Sequence, residues 1–61
     1  MKERTNNAIR AREVRVLDSD GGNLGVMLTE DAIKLAKDRG EDLIEISAQA
    51  VPPICKIMDF G

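Results

Sequence analysis

The chain has 61 residues, one cysteine, no histidine and a formal net charge of −2, which fits one small domain. A single cysteine forms no internal disulfide, and the missing histidines remove the usual zinc patterns and the commonest general base. We therefore expect that the protein is not an enzyme and binds no metal or cofactor. We expect Cys55 to be a small buried hydrophobic residue. A single cysteine without a disulfide suits a reducing compartment, so we expect a soluble, cytoplasmic protein.

The charges are divided unevenly along the chain. Residues 1–15 carry five basic and two acidic side chains, a net charge of +3, whereas residues 16–61 carry four and nine, a net charge of −5. A basic end on an acidic body suggests a nucleic-acid partner, although solvated termini explain it equally well. Residues 1–8 show no apolar period and predict a flexible basic arm, followed by a domain over residues 9–61 that begins with Ile9 as its first anchor.

Two alternating segments around a turn predict a β-hairpin. Val14 and Val16 share one face of a strand over residues 13–17, and a second alternating strand spans residues 24–28. Between them, residues 18–23 are Asp, Ser, Gly and Asn, which are turn formers. Their spacing faintly matches a calcium loop and a G-x-x-G phosphate loop, and turn chemistry explains it better than either.

A helix follows the hairpin. Thr29 is expected to cap it with its hydroxyl, and Gly40 to close it as the left-handed residue after the last turn. Its apolar stripe is narrow and small enough to pack closely on a sheet: Ala32, Ile33, Leu35 and Ala36.

Two further strands complete the pattern. Residues 42–47 alternate, and we expect Ile44 and Ile46 to point inward with Glu45 outward. After the rigid Pro52-Pro53 entry, residues 54–58 form the last strand, with its cysteine inward and Lys56 solvated. The order β-β-α-β-β predicts an α+β fold, a four-stranded mixed sheet with one packed helix of the β-grasp (ubiquitin-like) type.

The residues alone leave two kinds of function open. The cations of the arm and first strand could follow a phosphate backbone. Extensive base stacking is not expected, because Phe60 is the one aromatic residue of the chain. Alternatively, the bare sheet face and a free edge suit a ubiquitin-like protein-interaction module without RNA binding. A carrier activated at its C-terminus is disfavoured, because the chain ends in one glycine, Gly61, directly after Phe60.

Four blocks of sequence resemble a known family in order and spacing: residues 9–15 (IRAREVR), 24–26 (LGV), 42–47 (DLIEIS) and 52–61 (PPICKIMDFG). On these blocks the chain from about Asn7 to Gly61 is similar to the N-terminal domain of bacterial translation initiation factor three. The resemblance implies a β-grasp-like domain that binds the small ribosomal subunit, through ribosomal RNA and ribosomal proteins. It also implies action near the initiator tRNA in start-codon selection and in preventing premature subunit joining.

The resemblance further implies which residues act. The matched basic positions, Arg10, Arg12, Arg15 and Lys56, are the candidates for contact with RNA or an acidic ribosomal surface, and Lys2 and Arg4 join them on charge alone. The junction with a linker falls at Asp59, Phe60 and Gly61. The family's linker and C-terminal domain are expected to be absent from this chain, which we predict to be a monomer that contacts no membrane.

Overall fold

The five regular elements fall where the apolar periods and turn residues change. The computed structural model describes residues 4–59, and its elements are β1 (Glu13–Leu17), β2 (Asn23–Leu28), α1 (Thr29–Asp38), β3 (Asp42–Ser47) and β4 (Ile54–Met58), preceded by a 3₁₀ turn over Asn6–Ala8. The strands form one sheet in the order β2-β1-β4-β3. The two central strands, β1 and β4, are parallel, and the outer pairs are antiparallel. The predicted mixed four-stranded sheet with one helix, an α+β fold, is confirmed.

The core lies between α1 and one face of the sheet. Val14 and Val16 of β1 are fully buried there, beside Cys55 and Ile57 of β4. Ala32 and the other buried alanine of α1 have no exposed surface, because small side chains let the helix approach the sheet closely. The predicted inward face of β4 is therefore confirmed.

The inward face of β3 differs from the prediction. Leu43 of β3 lies directly opposite Ile57 of β4, and Glu45 lies opposite Cys55 of β4. Because these two residues of β4 face the helix, Leu43 and Glu45 face it as well. Ile44 consequently belongs to the other face of the sheet, and Ile46 is 49% exposed at a bulge. The expectations for Ile46 and Glu45 are therefore wrong, whereas Ile44 is buried as expected, at 2% exposed, but on the face that α1 does not cover. Because Leu43 and Ile44 are adjacent and both apolar, the sequence allows either of them to face the helix. The pairing of β3 with β4 places Leu43 on that face.

The chain before β1 lies along the outer edge of β3. The Glu45 N–H donates to the Arg4 carbonyl at 2.9 Å, and Thr5 forms an isolated antiparallel bridge with the strand. The side chain of Asn6 then accepts a hydrogen bond from the Leu43 N–H at 2.9 Å. These bonds occupy two donors of the strand edge, which would otherwise be free to pair with another chain.

These contacts change the interpretation of the predicted arm over residues 1–8. Residues 4–8 have a defined place against the sheet, where a structureless segment was expected. The low apolar content of this segment concealed the docking, because the contacts use backbone groups and an amide side chain rather than buried apolar surface. Residues 1–3 lie outside the described residues.

The two ends of α1 are formed differently. Leu28 occupies the N-cap position, and the Thr29 hydroxyl makes no capping bond but donates to the Ala11 carbonyl at 2.6 Å. The prediction that this hydroxyl caps the helix is wrong, because a tertiary acceptor competes successfully for it. Gly40 adopts φ +70° after the last turn, which confirms it as the left-handed residue that closes the helix.

The diproline leads directly into the sheet. Arg15 of β1 donates its N–H to the Pro53 carbonyl at 2.9 Å, which places the rigid entry beside the first parallel pair of residues. The peptide bond between Val51 and Pro52 is cis. The Val51 side chain is 97% exposed, so the connector contributes little to the core.

Candidate nucleic-acid interface

Arg10 and Arg12 are exposed on the short segment between the 3₁₀ turn and β1. Ile9, immediately before them, is 7% exposed and belongs to the hydrophobic core, which confirms it as the first anchor. After them, the backbone N–H of Thr29 donates to the Arg12 carbonyl at 2.8 Å. The side chains of Arg10 and Arg12 therefore project from a segment whose backbone is held at both ends.

Arg15 and Lys56 lie on the sheet face that α1 does not cover. Arg15 is opposite Ile54 on the parallel strand, and Lys56 is opposite Leu17, so the two cations lie on adjacent central strands two residues apart in register. Both are partly buried, as expected for long side chains that lay their aliphatic part on apolar neighbours. The sheet thereby brings together two candidates that lie 41 positions apart in the printed sequence.

The described acidic groups neutralise a different set of cations. Lys37 lies 3.1 Å from Asp42, and Arg39 lies 2.6 Å from Asp18. Within residues 4–59, by contrast, none of the ion pairs involves the four candidates that the resemblance selected, namely Arg10, Arg12, Arg15 and Lys56. Among the described residues, these four charges therefore have no acidic partner.

Arg4 stands apart from these candidates. Its guanidinium lies 3.6 Å from the Glu45 carboxylate, and the Glu45 side chain is 5% exposed. Because an ionised carboxylate at that depth needs a counter-ion, Arg4 has a structural partner within the chain. The position of Arg4 at the β3 edge therefore separates it from the exposed segment that carries Arg10 and Arg12.

Of the remaining predicted residues, only Asp59 lies within the part of the chain that the structure describes. Asp59 is exposed directly after β4, and it makes a further polar contact within the chain. Lys2, Phe60 and Gly61 lie outside the described residues. Sequence reasoning did not assign Thr29 to this region, and no local pattern could have done so, because its partners precede it by 17 and 18 positions in the printed sequence.

A cleft of about 310 Å³ opens beside the cationic segment, lined by Arg12, Leu28 and Glu30. Its lining combines one cation, one anion and one apolar side chain, so it has no strong preference for a ligand of either charge. No cluster of three or more metal-ligating side chains occurs among the described residues. In the same part of the chain, no helix has the length and apolar character needed to cross a membrane.

The predicted turn over residues 18–23 is supported by its own hydrogen bonds. Asp18 accepts a bond from the Ser19 N–H at 2.7 Å, and Asp20 accepts one from the Gly22 N–H at 2.9 Å. The hydrogen bond from Ser19, followed by the charge of Arg39, lowers the pKa of the Asp18 carboxyl. These carboxylates thus serve the turn and an ion pair, which agrees with turn chemistry as the explanation of this segment.

Cys55 gives a direct test of burial in the sheet. Burial, and secondarily the nearby charge of Glu45, raises the pKa of the Cys55 thiol to about 11. Because the thiolate is the reactive form, the native protein at pH 8 should react with a disulfide reagent such as DTNB at least ~10-fold more slowly than the protein in denaturant. Equal rates with and without denaturant would contradict the buried position.

Comparison with known proteins identifies the family. The family described as "Translation initiation factor IF-3, N-terminal domain" matches residues 5–61. Among proteins named translation initiation factor IF-3, that of Myxococcus xanthus is 61% identical over 59 residues, which cover 97% of this chain and 24% of the relative. Those of Azorhizobium caulinodans and Aquifex aeolicus are 55% and 50% identical over 58 residues, covering 95% of this chain and 33% of each relative.

The chain therefore spans between about a quarter and a third of the length of these relatives. The similarity extends over nearly all of the chain and over every element of the fold, from the 3₁₀ turn to β4. The chain thus belongs to the non-enzymatic family of translation initiation factor IF-3, in which it corresponds to the N-terminal domain.

Proposed function

We propose that this domain of a translation initiation factor binds the small ribosomal subunit through Arg10, Arg12, Arg15 and Lys56, none of which has an acidic partner among the described residues. The single observation that carries the proposal is that these cations lie together on one exposed segment and two adjacent strands, apart from the cations of α1. Lys37 and Arg39 are neutralised within the chain. Arg10, Arg12 and Arg15 follow one another along an exposed segment and the strand it enters, without such a partner in the described part of the chain.

Cations that have no acidic partner among the described residues are the better suited to bind phosphates. A cation that already has an intramolecular carboxylate must give it up before it binds a phosphate, whereas an unpaired one gives up only water and counter-ions. Lys56 extends the series across the open face of the sheet. The acidic remainder of the chain would restrict the contact to this region, because like charges repel elsewhere on the surface.

The wider role follows from the family and remains part of the proposal. We infer that the domain acts in the cytoplasm as a monomer, contacts ribosomal RNA and ribosomal proteins, and lies near the initiator tRNA. There it would assist start-codon selection and help prevent premature subunit joining. We also assign the fold to the β-grasp class, on the strand order β2-β1-β4-β3 with a parallel central pair.

The proposal is tested by measuring the affinity of the domain for purified small ribosomal subunits across a salt series. If two or three phosphates are contacted, log affinity should fall against log salt with a slope of about −2. The variant with Arg10, Arg12 and Arg15 replaced by Gln should lose most of that slope and bind about 10-fold or more weakly at low salt.

A matched control removes the same amount of charge elsewhere. Replacing Lys34, Lys37 and Arg39 by Gln also lowers the net charge by three, but it affects cations on and just after α1. This control should keep the wild-type slope. Equal losses in the two variants would attribute binding to net charge alone, and binding insensitive to salt and to both variants would favour a protein-interaction module without RNA binding.

A further inference from the structure

We propose that Thr29 is a positioning residue, which holds the segment carrying Arg10 and Arg12 in the conformation that binds phosphate; this rests on the proposed function. The observation is the juxtaposition of one buried residue with two successive carbonyls. Thr29 is 7% exposed, its hydroxyl donates to the Ala11 carbonyl at 2.6 Å, and its backbone N–H donates to the Arg12 carbonyl at 2.8 Å.

The two hydrogen bonds from Thr29 hold the backbone next to the residues that carry the guanidinium groups. Ala11 lies between Arg10 and Arg12, so a bond to its carbonyl constrains both neighbouring residues. On the N-terminal side, burial of Ile9 in the core provides the second attachment. The segment is therefore held at both ends, with its two guanidinium groups exposed between the attachments.

The choice of threonine at this position has a physical reason. As the first residue of α1, Thr29 has a backbone N–H without an intrahelical acceptor, and the Arg12 carbonyl supplies one. The hydroxyl donates to a second acceptor, the Ala11 carbonyl, at the point where the helix meets the segment that carries Arg10 and Arg12. One residue thus couples the start of the helix to the cationic segment.

Preorganisation of this kind acts on affinity as well as on stability. A segment that is already ordered loses less conformational entropy when it binds, so its cations bind phosphate more tightly than the same cations on a loose segment. Removing the hydroxyl should therefore weaken binding by about 3- to 10-fold, the range that corresponds to the net contribution of one hydrogen bond.

The test compares Thr29→Val, which keeps the shape but lacks the hydroxyl, with Thr29→Ser, which keeps the hydroxyl. Affinity for purified small ribosomal subunits is measured at several salt concentrations, alongside urea unfolding to establish that each variant is folded. Thr29→Val should bind about 3- to 10-fold more weakly and with a shallower salt slope, and Thr29→Ser should bind within about 2-fold of wild type. If Thr29→Val does not fold, Thr29→Ala takes its place, since alanine suits the first turn of a helix.

A double-mutant cycle separates positioning from a general loss of stability. In the Arg10→Gln, Arg12→Gln background, Thr29→Val should cause no further loss of affinity, because the cations that it positions are gone. A folded Thr29→Val protein with wild-type affinity, or an equal loss in both backgrounds, overturns the inference. Wild-type affinity of the Arg10→Gln, Arg12→Gln protein itself would instead overturn the proposed function, so the two failures are distinguishable.

Discussion

Replacing Leu43 by alanine is expected to lower the free energy of unfolding by about 2–5 kcal/mol, the largest stability effect that we predict. Leu43 has no exposed surface and packs in the core opposite Ile57. Its truncation removes apolar contacts and leaves a cavity beneath the helix, and a domain of this size has little stability to spare. Urea denaturation followed by circular dichroism measures the change, and a protein already unfolded without urea represents its upper limit.

The matched control lies three residues further along the same strand. Ile46 is 49% exposed, so Ile46→Ala removes a similar number of carbon atoms from a position that water already reaches. We expect it to cost less than about 1 kcal/mol. Equal costs for Leu43→Ala and Ile46→Ala, or a larger cost for Ile46→Ala, would contradict the face assignment of β3 and support the alternation expected from the sequence.

The second large effect concerns the ion pair between Arg4 and Glu45. Arg4→Met should lower the free energy of unfolding by about 1–3 kcal/mol, because it leaves a carboxylate that is 5% exposed without its counter-ion. The effect should nearly vanish in a Glu45→Gln background, where no charge remains to be compensated. Urea unfolding of the four proteins of this cycle gives the coupling free energy directly.

Lys34 provides the control for loss of a cation. It is exposed on α1 and forms none of the ion pairs found within residues 4–59, so Lys34→Met should change stability by less than about 0.5 kcal/mol. A cost for Arg4→Met as small as that for Lys34→Met would indicate that residues 4–8 are a loose arm, as the sequence predicted, and not part of the domain.

The elements of the fold were predictable because they depend on local patterns. The bounds of the strands over residues 13–17, 42–47 and 54–58 agree with the prediction, since each run alternates or is bounded by turn formers. Gly40 was likewise assigned from its place after the helix. Both features are local, so one sequence is sufficient to find them.

The features that escaped prediction all depend on residues far apart in the chain. The phase of β3 is set by its register with β4, and the sequence DLIEIS fits either phase. The hydroxyl of Thr29 has a tertiary acceptor, although every local rule favours a cap. In the candidate site, the sequence indicated which residues carry charge, but it could not distinguish Arg4, which is paired with a buried carboxylate, from the cations that have no acidic partner among the described residues.

The central position of β4 has a consequence for how the domain is made. Because β4 joins β1 to β3, residues 4–50 alone contain a hairpin and a helix followed by a strand that has no sheet to join. A ribosome must therefore synthesise almost the whole domain before the sheet can assemble, and folding is delayed until the last strand emerges from the exit tunnel. Until then, nascent β1 and β3 expose pairing edges, so the emergence of β4 ends the interval in which this domain is vulnerable to aggregation.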